Sequence, residues 1–398
     1  MSNVLIVPEK NEGYSPLRVI EEALKSESVD EVCIVDGWST DGTFELLENK
    51  VPELIRKYGK GVNLYRSKLR GAGKGMAMIT GMEIAVEKGH SKIAFVDADI
   101  ASITSKWFDL MINGMEKYNA DMVRGYFDRS PFDAQITRHI TVPSINMFFA
   151  EGRGVNQPLG GELCMSRSFV QRLLSYPLAP PSTWGIDTFI TVTALVERFN
   201  IVEVYLSQKL HKGKTLSQLQ EMFIECFDEM ANLIHFHERD KRIPVFSESV
   251  VRTVPPSESQ IERIGEDVRR LTYMNLDLEI NSLFQSVKAF KINLGLLREL
   301  DLSNEDCKMI SKLLSSPDAF KNESKRLNAE KWIQILHRLL LGYIKCQFST
   351  KYHNLLFTVW RLRALAFCLN EASSFEEAER NTKLQAEYAY RFGQELAK

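Results

Sequence analysis

Residues 1 to about 120 alternate short apolar runs with amphipathic segments, the pattern of buried strands joined by helices. Four runs, 4–7, 31–35, 62–65 and 93–96, are short and rich in β-branched and aromatic residues, which predicts strands. Between them, 16–26 carries Leu17, Ile20 and Leu24 on one helical face. The 43–58 segment does the same with Phe44, Leu46, Leu47, Leu54 and Ile55, and 75–88 predicts a third helix. This βαβαβαβ order implies right-handed crossovers and a mainly parallel sheet. Farther on, 188–196 reads as an apolar helix and 201–206 as a strand.

From about residue 215 the period lengthens to helical stretches at 216–239, 257–283, 284–300, 303–314, 329–347 and 352–396, with breaks at Pro244, Pro255 and Pro256. The expectation is an α/β domain over 1–215 and an all-helical domain over 216–398, without an internal repeat. Trp332, Trp360 and Phe367 lie on apolar stripes that suit a core or a surface between copies of the chain, leaving a homo-oligomer open. Arg361 and Arg363 share such a segment.

Composition narrows the function classes. Charge is balanced, 50 basic against 52 acidic residues in 398, so no broad electrostatic surface for nucleic acid is expected. The six cysteines, at 33, 164, 226, 307, 346 and 368, are scattered with no Cys-x-x-Cys pair, and read as small hydrophobes of a reducing compartment. No stretch approaches the roughly 18–20 apolar residues of a membrane span. The first strand begins without a basic region or cleavage site, so the expectation is a soluble, cytoplasmic protein.

The chemistry concentrates after the predicted strands. Asp97 and Asp99 follow the 93–96 run, where an open α/β sheet binds ligands and where two carboxylates suit a divalent cation held against a diphosphate. A turn or a helix cap uses the same residues. Lys10, Asn11 and Glu12 follow the first strand, Asp36-Gly-Trp-Ser-Thr-Asp-Gly42 the second, and Arg70-Gly-Ala-Gly-Lys-Gly75 the third. The glycine-rich loop lacks the spacing of a phosphate loop, so Lys74 meets a phosphate or stands in solvent.

A second polar concentration holds Arg124, Arg129, Asp133, Thr137 and Arg138, then Gln157-Pro-Leu-Gly-Gly-Glu162, whose paired glycines let backbone approach a ligand closely. Arg129 suits a bidentate contact to a carboxylate or a surface ion pair. Asp187, in Trp184-Gly-Ile-Asp187, caps the following helix or presents a carboxylate. His211 is loop surface or a transition-metal ligand.

Taken in order, Pro8-Glu-Lys-Asn-Glu12, the Asp36–Thr43 loop, Gly73-Lys-Gly75, Asp97-Ala-Asp-Ile100, Gln157-Pro-Leu-Gly-Gly-Glu162, Trp184-Gly-Ile-Asp187 and His211 resemble a GT-A glycosyltransferase. More closely, they resemble the mannosylglycerate synthase family and relatives that make sugar glycerates used as compatible solutes. Leu355-Leu-Phe-Thr-Val-Trp-Arg-Leu-Arg363 extends the resemblance into the helical region. The resemblance implies that Lys10, Glu12, Asp36, Gly37 and Trp38 surround the base and ribose, with Lys74 and Asp97 holding the nucleotide sugar. It implies Asp99 and His211 as ligands of Mn²⁺ or Mg²⁺, Arg129, Thr137, Leu159, Gly160 and Gly161 as the acceptor region, and Asp187 beside the transferred sugar or the acceptor.

By the same resemblance the expected donor is GDP-mannose, then GDP-glucose or UDP-glucose, and transfer retains the anomeric configuration. A front-face route and a covalent route through Asp187 are both open. The Val35–Thr43 loop looks more like a general GT-A or glucosyl-3-phosphoglycerate synthase loop, and Lys212 and Lys214 stand where a phosphate would be met or are simply exposed. Glycerate, 3-phosphoglycerate and glucosylglycerate are therefore all candidate acceptors. A polyprenyl-phosphate acceptor would call for a membrane anchor, and a nucleotide-sugar-binding regulator for a degenerate site.

Overall fold

The computed structural model describes residues 2–241, 248–256 and 274–396. The expected break at Pro244 and the first part of the expected 257–283 helix lie outside them. The chain forms two compact units from interleaved stretches rather than from one cut near 215. The first takes Met1–Asp128, Gly154–Lys212 and Ser249–Gly265; the second takes Arg129–Arg153, Gly213–Glu248 and Glu266–Lys398.

Among the described residues, the first unit holds one eight-stranded sheet in the order β3-β2-β1-β4-β6-β5-β7-β8. The strands are β1 (Asn3–Glu9), β2 (Glu31–Asp36), β3 (Gly61–Arg66), β4 (Lys92–Phe95), β5 (Met122–Asp128), β6 (Leu163–Ser166), β7 (Ile201–Gln208) and β8 (Val251–Val254). The four strands read from sequence pair in parallel as expected. The apolar runs of β1, β2 and β4 are buried on both faces, because helices α1 (Ser15–Lys25), α2 (Thr43–Tyr58), α3 (Lys74–Glu87) and α4 (Ser105–Lys117) provide the crossovers and cover, whereas edge strand β3 buries only Val62. One side of that core is Leu5, Val7, Ile34 and Val96 against Val19, Ala23, Phe108 and Ile112. Ile55, expected on the apolar face of α2, is 40% exposed; Leu47 and Leu54, at helical spacing, make the contact instead.

The chain order reverses between β1 and β4, which opens a ligand crevice at the carboxyl ends of these strands. β6 is antiparallel to both β4 and β5. Its pairing of Leu163 with Phe95 brings the residues entering β6 beside those leaving β4, so Gly161 and Glu162 lie next to Asp97.

The second unit is helical. Its described helices include Gln220–Phe236, Leu276–Ala289, Asn304–Leu313, Ala329–Lys345, His353–Asn370 and Phe375–Leu396. The expected boundary between 257–283 and 284–300 falls inside one helix, which starts at Asn275, whose side chain accepts from Leu278 N. The single helix expected over 352–396 is two. The Ser374 hydroxyl accepts from Glu377 N and Glu377 accepts from Ser373 N, which starts a new helix. Trp332, Trp360 and Phe367 are buried in this unit. Arg361 and Arg363 are fully buried within it, Arg361 donating to Ser282, Ser286 and the Glu279 carbonyl, Arg363 to Glu371, Gln385 and the Leu327 carbonyl.

Candidate functional site

Lys74, the first residue of α3, is 9% exposed and lies between two carboxylates. Its Nζ is 2.8 Å from Asp97 Oδ1 and 3.0 Å from Asp187 Oδ2. The start of α3 is brought there by backbone contact: Gly75 N donates to Thr183 O and Met76 N to Ser182 O, both at 3.1 Å. A Cβ at position 75 would stand 2.1 Å from Pro181 O, so glycine is what allows this approach. The 181–183 stretch then leads into the helix Ile186–Val196, whose first turn carries Asp187.

Asp97 is shared with a second lysine. Lys209, just beyond β7, stands 3.2 Å from Asp97 Oδ2 and 2.6 Å from Glu162 Oε1. The result is a buried chain of alternating charge, Asp187, Lys74, Asp97, Lys209 and Glu162. Burial by itself would raise the Asp97 carboxyl, but the two ammonium groups outweigh it and hold it well below the usual range. For Asp187 and Glu162 burial dominates and raises both, opposed by Lys74 and by Lys209 respectively. Asp97 is an ionised carboxylate held between two fixed cations.

Gly161 sits against that carboxylate. A Cβ there would be 2.2 Å from Asp97 Oδ1, which the two lysines hold in place. Gly161→Ala is expected to destabilise the fold by about 1–3 kcal/mol through overpacking. It is also expected to lower turnover about 10²-fold by moving Asp97 and Lys74; thermal unfolding and steady-state kinetics on one preparation measure both.

The loop after β2 is organised by Asp36, which is fully buried. Its carboxylate accepts from Trp38 N at 2.8 Å, from Ser39 N at 3.1 Å and from Arg66. Gly37 N donates to Glu9 O at 2.7 Å, and a Cβ on Gly37 would be 3.2 Å from the Lys10 side chain. Trp38 takes a left-handed backbone, φ 66°, and its indole donates to Ser67 O, with the Arg66 and Arg70 guanidinium groups over its ring. Thr40 N donates to the Asn11 side chain, tying this loop to the one after β1 that holds exposed Lys10 and half-buried Glu12. Asp36 thus shapes the loop and has no exposed edge, while Trp38 and Lys10 are accessible.

Asp99 and His211 are both half-buried and lie on loops joined by hydrogen bonds. Ala101 N donates to Leu210 O at 2.8 Å, Leu210 N to Ser102 Oγ at 2.9 Å, and Ser102 Oγ to Gln208 O at 2.7 Å. The expected metal pair therefore stands on adjoining turns after β4 and β7. No group of three or more His, Cys, Asp and Glu side chains suited to a metal occurs among the described residues. One carboxylate and one imidazole fit a divalent cation that takes its remaining ligands from phosphate oxygens and water. Lys212 and Lys214 are exposed.

Leu159, Gly160 and Gly161 form a loop held from below. Fully buried Arg124 donates to Gln157 O at 2.7 Å and to Gly160 O at 3.3 Å. Glu203 accepts from the Asn156 and Gln157 amides at 2.9 and 3.0 Å. Arg129 and Thr137 belong to the second unit. There the Arg129 guanidinium meets Asp133 at 2.9 Å, and Thr137 is buried at the start of a π-helical turn, Thr137–Thr141.

Sequence reasoning singled out neither Lys209 nor Glu9, Arg66 and Glu203, and noted Arg124 without a role. Only Lys209 carried a signal, its place two residues before His211, matching that of Asp97 before Asp99.

The family model for the mannosylglycerate synthase glycosyltransferase domain matches residues 4–232. The mannosylglycerate synthase of Rhodothermus marinus is 30% identical over 264 residues, 61% of this chain and 66% of that protein. That of Selaginella moellendorffii is 30% identical over 282 residues, 67% of this chain and 65% of that protein. The matches thus span just under two thirds of the length of these relatives. A glucosyl-3-phosphoglycerate synthase of Mycobacterium tuberculosis, in complex with Mn²⁺, UDP-glucose and phosphoglyceric acid, is 19% identical, with a TM-score of 0.48 over 59% of this chain and 80% of that one. No helix among the described residues is long and apolar enough to cross a membrane.

Proposed function

Because the chain belongs to the mannosylglycerate synthase family, we propose that it is a metal-dependent hexosyltransferase acting on a nucleoside diphosphate sugar and a glycerate-type acceptor. The observation that carries this reading is the buried run Asp187, Lys74, Asp97, Lys209, beside the joined loops of Asp99 and His211. GDP-mannose is the first-choice donor; the names of the two relatives, mannosylglycerate synthase, support a mannosyl group. Lys10, Glu12, Gly37 and Trp38 take the nucleoside on a loop shaped by Asp36, and Lys74 and Asp97 help hold the nucleotide sugar. Leu159 to Gly161 present backbone to the acceptor.

Asp99 and His211 would hold Mn²⁺ or Mg²⁺, which when bound neutralises charge on the leaving diphosphate. Lys74 adds a fixed positive charge in a water-poor site, where it is worth more than in solution. In the proposed retaining transfer the bond from the anomeric carbon to the phosphate oxygen breaks, and its electron pair leaves with the nucleoside diphosphate. The acceptor oxygen bonds to the same face of that carbon, and its proton passes to the departing phosphate oxygen. Asp187, held by Lys74, orients the sugar. Its Oδ1 is buried and accepts no hydrogen bond from the described residues, which favours a second route in which Asp187 attacks the anomeric carbon.

The test offers GDP-mannose, GDP-glucose and UDP-glucose, with Mn²⁺, against glycerate, 3-phosphoglycerate and glucosylglycerate, and reads product mass and anomeric NMR. An α-linked hexosyl product is the expected result. Nucleotide binding without product from any pair would replace this reading with that of a binding protein. A glycosylated Asp187 peptide in mass spectrometry would select the covalent route.

A further inference from the structure

Glu9 ends β1 and is the cross-strand partner of Asp36 in the parallel ladder. Both side chains are shut away from solvent, Glu9 at 5% exposure and Asp36 at 0%. The two carboxyls share Ser39, whose hydroxyl lies 3.4 Å from Glu9 Oε2 and whose amide lies 3.3 Å from Asp36 Oδ2, and a hydrogen bond between two carboxyls requires that one carry a proton. Asp36 is the ionised member. It accepts from Arg66 and from the amides of Trp38 and Ser39, all donors suited to a carboxylate. Glu9 forms no ion pair among the described residues: Oε2 accepts a long contact from Ser39 Oγ, 3.4 Å, and Oε1 accepts from no described residue.

The surroundings favour the same assignment. Arg66 on β3 is the cation against the pair, and it is also drawn 3.7 Å from Glu45 of α2. Asp41 adds negative charge from the loop, and Lys10 directs an exposed ammonium outward from a stem packed near Gly37. One half-buried guanidinium, Arg66, therefore meets the pair through Asp36.

We propose that Glu9 is a positioning residue of the donor site: as a neutral acid it donates a hydrogen bond to Asp36 and so holds the Gly37–Thr40 turn in the form that receives the nucleoside. This rests on the reading of that turn as the donor pocket. Burial, then the contact with Asp36, pushes the Glu9 carboxyl up to about 9. The sign follows from linkage. Folded protein keeps this proton until about pH 9, while the unfolded chain releases it near the ordinary value of 4.5, so stability falls as pH rises between them. Above that window the folded state loses the proton, and the turn loses its anchor.

Glu9→Gln keeps a donor toward Asp36 but cannot ionise; Glu9→Ala keeps neither property. The first readout is thermal unfolding of ligand-free protein. The midpoint of E9Q minus that of wild type should rise from about pH 5 to about pH 9; a difference that stays flat overturns the shared proton. The second is calorimetric binding of GDP and UDP with Mg²⁺. At about pH 10 only about a tenth of Glu9 keeps its proton, so wild-type affinity should fall about tenfold relative to E9Q. The comparison is between proteins because the imino N–H of each base ionises in the same range. At pH 7, E9Q should bind like wild type and E9A more weakly, and E9Q as weak as E9A would overturn the positioning role. Folded wild type that binds neither nucleotide at pH 7 would instead overturn the donor-site reading and the positioning role with it, leaving the thermal difference to test the proton alone.

Discussion

Asp99→Ala and His211→Ala are each expected to lower hexosyl transfer on the order of 10³-fold at saturating substrates, with little change in unfolding temperature. Both residues are half-buried on loops joined by backbone and serine hydrogen bonds, to which the His211 ring adds a 3.2 Å contact with Lys212 O inside its own turn. Truncation should therefore leave the loops in place and remove one cation ligand. The loss should appear in kcat, because charge on the leaving diphosphate grows during bond breaking. Chelated wild type should match the variants, and added Mn²⁺ should restore wild type only. Unchanged turnover by either variant in metal-free buffer would sink the metal-site assignment.

Lys74→Met should be the most damaging change to the site as a whole. Methionine preserves much of the stem, but Asp97 loses one of its two cations and Asp187 its ammonium partner. Removing one member of a buried ion network costs about 3–5 kcal/mol, because the remaining charge stays desolvated. Turnover should fall on the order of 10²–10³-fold, since a preorganised charge at the diphosphate is gone. Denaturant unfolding separates the two effects. In the Lys74→Met/Asp187→Asn double variant, stability should recover in part because the orphaned carboxylate is gone, while activity should not. Equal stability of Lys74→Met and wild type would mean that the network adds nothing to the fold.

Much of the first unit was legible because its signals are local. Apolar runs with polar flanks gave β1 to β4, and helical spacing gave the crossovers, since both depend on residues within a few positions of one another. β6 was not legible. It is four residues long, and its antiparallel insertion between β4 and β5 is a matter of pairing rather than pattern. The split near Ser374 was missed because a Ser-Ser cap sits inside an otherwise continuous helical period. Membership of Arg129–Arg153 in the helical unit is likewise a matter of packing, which residue spacing does not encode.

The candidate site divides along the same line. The sequence by itself determined which residues carry the chemistry after each strand: Asp97 and Asp99, Lys74, Asp187, His211 and the paired glycines. Only the tertiary structure decided which charges meet. Lys74, Asp97, Asp187 and Lys209 are far apart in the chain and join through strand order, the antiparallel entry of β6 and the close approach at Gly75. It also turned Asp36 from an open carboxylate into a buried anchor paired with Glu9. The physical reason is range: side-chain periodicity is fixed by the geometry of a few successive residues, whereas a buried charge takes its partner from whatever element packs beside it.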